Sequence, residues 1–226
     1  MISQNVITVD GPAASGKTSM SRELAKNLGW QWVSTGAFYR GLAYIVEQEG
    51  VDITSEAAIV ETCEQVSWSI EMASDRTKCH YKGADVTDQI YLEEIGTVAS
   101  KISAFPKVRQ ALLQAQRDCL NHVRGLVAEG RDCGTVVFPK APLKVYLTAR
   151  SESRAERRVQ EQGGEVSQVL EAQRARDDQD SQRKAAPLEV PAGALVIDTS
   201  AMSLEEVVSK VETKARELFS QMVSRD

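Results

Sequence analysis

Aromatic residues and histidine are scarce in this chain of 226 residues, and its cysteines follow no recognisable pattern. Phe, Trp and Tyr together make up 5% of the residues, and the four cysteines include no Cys-x-x-Cys pair. The two histidines, His80 and His122, lie outside any catalytic or metal-ligand spacing. These absences argue against a disulfide framework, a structural zinc site and histidine-based catalysis. We expect the cysteines to be reduced thiols.

Long apolar runs are also missing, and the first predicted strand begins within a few residues of Met1. We therefore expect neither a membrane segment nor a signal peptide, and a cytoplasmic location. The formal net charge of −5 disfavours a protein that wraps nucleic acid by bulk electrostatic attraction. Nothing in the sequence indicates an obligate interface, so a monomer is the default expectation.

The strongest chemical signal is a glycine-rich loop between an apolar segment at 6–10 and a helical pattern. The loop reads Gly11-Pro12-Ala13-Ala14-Ser15-Gly16-Lys17-Thr18, which is G-x-x-x-x-G-K-T, and Ser19 follows it. A strand before the loop and a helix after it are the context in which this pattern binds phosphate. Backbone N–H groups and the positive end of the helix dipole would hold the phosphates. Lys17 would then reach the terminal phosphates, and the Thr18 hydroxyl would bind Mg²⁺.

Apolar strands alternate with helices along most of the chain, which predicts an α/β fold with a parallel sheet flanked by helices. These strands are predicted at 6–10, 30–34, 126–128, 143–147 and 194–198. Ligands of such sheets bind at the carboxyl ends of the strands. The polar segments at those ends are Asp10-Gly11, Ser34-Thr35-Gly36, Glu129-Gly130-Arg131-Asp132 and Thr148-Ala149-Arg150. The sequence therefore predicts a single ligand-binding rim.

Residues 66–90 have a different pattern, because polar and apolar residues alternate there as in half-buried strands. Three short extended pieces are predicted, at 67–72, 78–81 and 86–90, and we interpret them as a small antiparallel sheet inserted into the α/β core. Such an insert can simply cover an edge, or it can contribute to a ligand site. Further along, residues 136–139 are expected to form a loop.

Arginine is the only basic residue type between positions 150 and 183, on two predicted helices at 151–162 and 167–180. The arginines in question are Arg150, Arg154, Arg157, Arg158, Arg174, Arg176 and Arg183. One interpretation is a solvated surface with weak ion pairs. The other is a lid that closes over ATP and excludes water. The exclusive use of arginine favours the lid, because a guanidinium group binds phosphate through two parallel hydrogen bonds.

With these motifs the chain resembles the nucleoside monophosphate kinases, and among them the bacterial cytidylate kinase family, nearly from end to end. The most specific segments are 11–17, 103–109, 130–139 and 176–180 with Arg183. The resemblance implies a single P-loop kinase domain over 1–226, with a monophosphate-binding region at 34–105 and an arginine-rich lid at 150–183. It implies transfer of the ATP γ-phosphoryl group to CMP or dCMP, with Mg²⁺ as cofactor and small molecules as partners.

The resemblance also implies roles for the matching residues. Those implied at ATP are Gly11, Pro12, Ala13, Ala14, Ser15, Gly16, Lys17, Thr18, Ser19, Arg154, Arg157 and Arg158. Those implied at CMP are Thr35, Arg40, Ser100, Arg109, Arg131, Asp132, Arg176 and Asp180. Those implied to act in catalysis are Lys17, Arg131 and Arg183, with Thr18 at the metal. Two positions depart from the family pattern, since Ser34 replaces an acidic residue and Tyr91 replaces an arginine.

Cytosine has an exocyclic amine beside acceptor atoms, so an aspartate with an arginine and hydroxyl groups can recognise it. Uracil has a carbonyl at the position of that amine, which would leave Asp132 or Ser100 mismatched. No general base is expected, because the acceptor atom is already a phosphate oxygen. Two alternatives stay open: a kinase for UMP or another small acceptor, and a regulatory P-loop NTPase. The chain lacks the N-K-x-D motif that would favour the second alternative.

Overall fold

The computed structural model describes residues 5–223, which form two sheets and the helices around them. The strands are β1 Val6–Asp10, β2 Gln31–Ser34, β3 Trp68–Met72, β4 Thr77–Tyr81, β5 Ala84–Asp85, β6 Leu126–Gly130, β7 Leu143–Thr148 and β8 Leu195–Asp198. The helices are α1 Lys17–Leu28, α2 Gly36–Gln48, α3 Glu56–Gln65, α4 Thr87–Ile90, α5 Glu93–Ile102, α6 Pro106–Asp118, α7 Ser151–Gln162, α8 Val166–Gln182 and α9 Leu204–Val223. In the described part of the chain, no helix is long and apolar enough to cross a membrane.

The main sheet has five strands, all parallel as the sequence predicts, and their order is β2-β6-β1-β7-β8. β1 is central, and all five of its residues are buried. One apolar cluster covers the face toward α2 and α6, and another covers the face toward α1 and α9. Because all strands run the same way, the carboxyl ends of β1, β2, β6 and β7 meet at one edge of the sheet.

Local sequence signals account for several helix boundaries. α1 ends before Gly29, which has a φ of 65° in the left-handed region that glycine tolerates. The Ser55 hydroxyl accepts a hydrogen bond from the Ala58 N–H and so caps α3. At α9, the Ser203 and Glu206 side chains each accept a hydrogen bond from the other's backbone N–H, which is a capping box.

The small antiparallel sheet is present, in the order β3-β4-β5, but its third strand is not where the sequence predicts it. The prediction of a strand at 86–90 is wrong, because β5 comprises only Ala84–Asp85 and the next residues form the short helix α4. The Asp85 carboxylate accepts a hydrogen bond from the Thr87 N–H at 2.9 Å, which turns the chain. The Ile90 N–H then donates to the Val86 carbonyl, which closes a helical turn.

The predicted loop at 136–139 is confirmed at residues 138 and 139, which form a bend and a turn, but residues 136 and 137 belong to a helical turn. Cys133–Val137 form one π-helical turn, in which the Phe138 N–H donates to the Cys133 carbonyl. The buried Asp10 carboxylate starts this turn by accepting the N–H groups of Cys133 at 2.8 Å and Gly134 at 2.7 Å. Burial raises the pKa of Asp10 to about 6, although these two hydrogen bonds act in the opposite direction.

Candidate active site

The phosphate-loop motif lies at the carboxyl end of the central strand. Gly11 has a φ of 147°, and a β-carbon there would collide with the Leu147 carbonyl oxygen of the neighbouring strand. Gly16 has a φ of 87° and immediately precedes α1, whose first turn has no side-chain cap. The N–H groups of that turn are therefore available to an anion, and the helix dipole favours one there.

Lys17 folds back over this loop. Its Nζ atom donates to the Pro12 carbonyl at 2.6 Å, and the side chain is buried. Burial lowers the pKa of Lys17 to about 7, and the positive charge of Arg131 acts in the same direction. A phosphate group beside Lys17 would reverse this effect by supplying negative charge.

Thr18 and Glu129 bring two oxygen ligands together next to the loop. The Thr18 hydroxyl donates to Glu129 Oε1 at 2.9 Å, and Glu129 is buried at the end of β6. Glu129 is not among the residues to which the resemblance gives a role. The signal in the sequence was its place in the polar segment 129–132, at the carboxyl end of a predicted strand.

A cleft of about 510 Å³ opens in front of the loop. Its lining contains eight basic side chains: Lys17, Arg22, Arg40, Arg109, Arg131, Arg158, Arg176 and Arg183. The acidic side chains in the lining are Glu129, Asp132 and Asp180. On a chain with a net charge of −5, this local excess of positive charge favours a ligand that carries several negative charges.

Two buried ion pairs hold the floor of the cleft. Arg109 Nη2 donates to Asp132 Oδ2, and Arg109 also donates to the Ser103 carbonyl at 3.1 Å. Arg131 Nε donates to Asp180 Oδ2 at 2.9 Å. Burial by itself lowers the pKa of Arg131, but Asp180 more than offsets that effect, so Arg131 stays charged.

Arg183 has spare hydrogen-bonding capacity in the cleft. Its Nη1 atom donates to the Ser103 hydroxyl at 3.3 Å, whereas its buried Nη2 atom has no partner within residues 5–223. A buried donor of this kind is costly unless something binds it. A ligand oxygen in the cleft would satisfy it.

Arg40 is held at the opposite wall by α4 and α5. Its Nη1 atom donates to the carbonyls of Ile90 at 2.9 Å and Leu92 at 3.0 Å, and the guanidinium lies 5.8 Å from the Tyr91 ring centre. Tyr91, where the family pattern has an arginine, thus faces Arg40. Its hydroxyl donates to the Thr77 carbonyl, which joins this wall to the small sheet.

The absence of a side chain at Gly96 makes room for the Arg40 guanidinium. A β-carbon at Gly96 would lie 2.6 Å from Arg40 Nη2, at the flexible end of that side chain. We expect Gly96→Ala to displace the guanidinium and to raise the KM for the acceptor nucleotide by about tenfold. The melting temperature should stay the same or rise, because alanine is the better helix former.

The control for this variant is Lys101→Ala, an exposed substitution on the same helix. Steady-state kinetics and thermal unfolding of both variants give the comparison. An unchanged acceptor KM in a correctly folded Gly96→Ala protein would contradict the role of Arg40 as an acceptor ligand.

Ser100 and Thr35 are both at the cleft, and each is already hydrogen-bonded. Ser100 exchanges two hydrogen bonds with the Gln179 side chain of α8, at 3.1 and 2.9 Å. Thr35 is buried, and its hydroxyl donates to the Glu129 carbonyl. The backbone carbonyl of Thr35 accepts a hydrogen bond from the Gln116 side chain. A ligand at Ser100 would therefore share this hydroxyl with Gln179 of α8.

Most of the predicted site residues line one cleft. They are Ala13, Ala14, Lys17, Thr18, Ser19, Thr35, Arg40, Ser100, Arg109, Arg131, Asp132, Arg158, Arg176, Asp180 and Arg183. The six predicted ATP ligands outside that lining are Gly11, Pro12, Ser15 and Gly16 of the loop, and Arg154 and Arg157 of α7. Arg154 donates to the Ala13 carbonyl and pairs with Asp177 at 2.6 Å, and Arg157 donates to Thr199. Their contact with ATP stays a prediction.

Several cleft residues were not predicted from the motifs. Besides Glu129 they include Arg22, Tyr39, Tyr91 and Ser103. The Tyr39 ring lies 5.2 Å from the Arg109 guanidinium, and burial raises the pKa of Tyr39 to about 12. Tyr91 and Ser103 lie in or beside segments that the resemblance singles out, whereas Arg22 and Tyr39 are on α1 and α2, and only the packing of those helices places them at the cleft.

Three features define the class of protein. They are the glycine-rich loop on the central parallel strand, the uncapped helix N-terminus and the basic cleft that faces them. This is a P-loop protein with a kinase-type fold. A gluconokinase from Sinorhizobium meliloti has the same fold, with a TM-score of 0.53 over 98% of this chain and 97% of the other, at 18% identity. That similarity concerns the fold alone.

Sequence comparison identifies the family. The sequence model described as Cytidylate kinase matches residues 7–217. A Cytidylate kinase of Bdellovibrio bacteriovorus is 56% identical over 91% of this chain and 95% of its own length. Another from Serratia proteamaculans is 42% identical over 95% of this chain and 96% of its own length. The chain belongs to the cytidylate kinase family.

Proposed function

We propose that this protein transfers the γ-phosphoryl group of ATP to CMP or dCMP, giving ADP and the cytidine diphosphate. The observation that carries the proposal is the pairing of a P-loop with a facing basic cleft in a chain of the cytidylate kinase family. The phosphate loop serves the donor, and the opposite wall with Arg40, Arg109 and Asp132 serves the acceptor.

Phosphoryl transfer depends mainly on positioning and on positive charge around the moving group. On the donor side, Lys17 and the first turn of α1 contact the ATP phosphates. On the acceptor side, Arg40 and Arg131 hold the CMP phosphate, and Arg183 donates its free Nη2 atom where charge develops. No side chain has to remove a proton, because the attacking atom is an ionised phosphate oxygen.

Mg²⁺ fits the oxygen ligands next to the loop. The Thr18 hydroxyl and the Glu129 carboxylate lie together there and would hold the ion with the ATP phosphates. Among the described residues, no group of three or more His, Cys, Asp or Glu side chains is arranged to hold a metal ion. Phosphate and water would therefore provide most of the ligands, and the ion would neutralise phosphate charge during transfer.

Cytosine specificity is assigned to the buried pair of Arg109 and Asp132, together with Ser100. The Asp132 carboxylate offers acceptor oxygens, which suit the exocyclic amine of cytosine. The uracil carbonyl would oppose those oxygens, and a mismatch in a site this buried is costly. Arg176 and Asp180 are assigned to the pentose.

We assign residues 34–105 as the monophosphate-binding region and residues 150–183 as the lid of a single kinase domain. Helices α7 and α8 supply Arg158 and Arg176 to the cleft, in support of this division. Closure of the lid would exclude water from the transferred group.

The proposal is tested by measuring ADP release with AMP, UMP, CMP, dCMP and GMP as acceptors. We expect kcat/KM for CMP and dCMP to exceed the other values by about a hundredfold or more. Equal turnover of UMP would indicate a broader pyrimidine kinase. ATP hydrolysis with no acceptor dependence would indicate a regulatory NTPase instead.

A further inference from the structure

Glu93, the first residue of α5, connects the acceptor wall to both helices of the lid. Its Oε2 atom accepts a hydrogen bond from Arg158 Nη2 of α7 at 2.7 Å. Its Oε1 atom accepts one from Arg176 Nη2 of α8 at 2.9 Å. One carboxylate thus joins α5 to two helices, α7 and α8, that lie much further along the sequence.

The two arginines face the cleft, whereas Glu93 stands behind them. Arg158 and Arg176 both line the cleft and Glu93 does not. Each arginine uses only Nη2 for this contact, and its Nη1 and Nε atoms have no hydrogen-bond partner among residues 5–223. A guanidinium has five N–H donors, so each can bind Glu93 and a nucleotide oxygen together.

The charges near Glu93 explain why a carboxylate is needed. Burial lowers the pKa of Arg40, and the positive charges of Arg176 and Arg158 lower it further, while Glu93 acts in the opposite direction. These three arginines repel one another when the cleft holds no phosphate. A neutral residue at position 93 would leave that repulsion uncompensated.

We propose that Glu93 is a positioning residue that orients Arg158 and Arg176 toward the nucleotides and holds the lid against the acceptor wall. The inference rests on the proposed kinase function but adds a residue that touches neither substrate. Arg158 is predicted to contact ATP, and Arg176 is assigned to CMP. Loss of Glu93 should therefore affect the binding of both substrates.

The test compares Glu93→Gln with Glu94→Gln. Glu94 is the adjacent exposed residue on the same helix and has no ion pair within the described residues, so the control removes the same charge nearby. We expect Glu93→Gln to raise the KM for both ATP and CMP by roughly fivefold and to lower kcat by a smaller factor. Glu94→Gln should match the wild type.

A second variant and a second measurement separate positioning from a change in overall charge. Glu93→Asp keeps the charge but shortens the side chain, so it should retain one of the two contacts and give intermediate KM values. Without nucleotide, amide hydrogen exchange in α7 and α8 should be faster in Glu93→Gln than in Glu94→Gln.

The outcomes distinguish this proposal from the proposed function. A wild-type protein without CMP kinase activity would overturn the kinase function, and the exchange experiment would still test the link to the lid. Equal KM values and equal exchange in Glu93→Gln and Glu94→Gln would overturn the role of Glu93. A lower KM in Glu93→Gln would also overturn it, because Glu93 would then compete with the nucleotide for the arginines.

Discussion

Replacing Lys17 with alanine is expected to reduce kcat by about a thousandfold while CMP still binds. Removal of one group that stabilises charge in a transition state commonly costs a hundred- to a thousandfold in rate. Lys17 is the buried cation of the phosphate loop, where its Nζ atom contacts the Pro12 carbonyl. The acceptor wall lies across the cleft, so CMP binding should not depend on Lys17.

Lys26→Ala is the matched control for this substitution. Lys26 lies on the same helix, is exposed and pairs with Glu23 at the surface. Single-turnover kinetics and direct titration with CMP separate the chemical step from acceptor binding. Full turnover by a Lys17→Ala protein, or loss of CMP binding together with turnover, would contradict the assignment of the loop to the donor.

Replacing Asp132 with asparagine is expected to reduce the preference for CMP over UMP by about a hundredfold or more. The buried carboxylate can only accept hydrogen bonds, which suits the cytosine amine and opposes the uracil carbonyl. An asparagine amide can turn its NH₂ group toward uracil, so the variant loses the feature that rejects UMP. ATP binding should change little.

The measurement is the ratio of kcat/KM for CMP to that for UMP on the same sample. This ratio is independent of the fraction of active protein, which matters because Asp132 is paired with the buried Arg109. Asp178→Asn, an exposed substitution on α8, is the control. If ATP affinity collapsed and base preference stayed the same, the cytosine role of Asp132 would be wrong.

Prediction from sequence succeeded where the signal is local. The alternating strands and helices, the loop at 11–18 and the two helices of the arginine-rich segment all occur as predicted. It was wrong at 86–90, where the neighbouring Asp85 turns the chain, and at 136–137, where a distant side chain shapes the backbone. Asp10 organises the turn at 133–137 from 123 residues away in the chain, and no pattern within that segment records this contact.

The sequence by itself determined the phosphate loop, because the loop is contiguous and its geometry follows from its own glycines and the helix after it. Only the tertiary structure decided how the facing wall of the cleft is joined to α7 and α8. Glu93 meets Arg158 and Arg176, which lie 65 and 83 residues further along the chain, and Thr18 meets Glu129 across 111 residues. Each contact depends on distances set by packing of separate helices and strands, which no local pattern encodes.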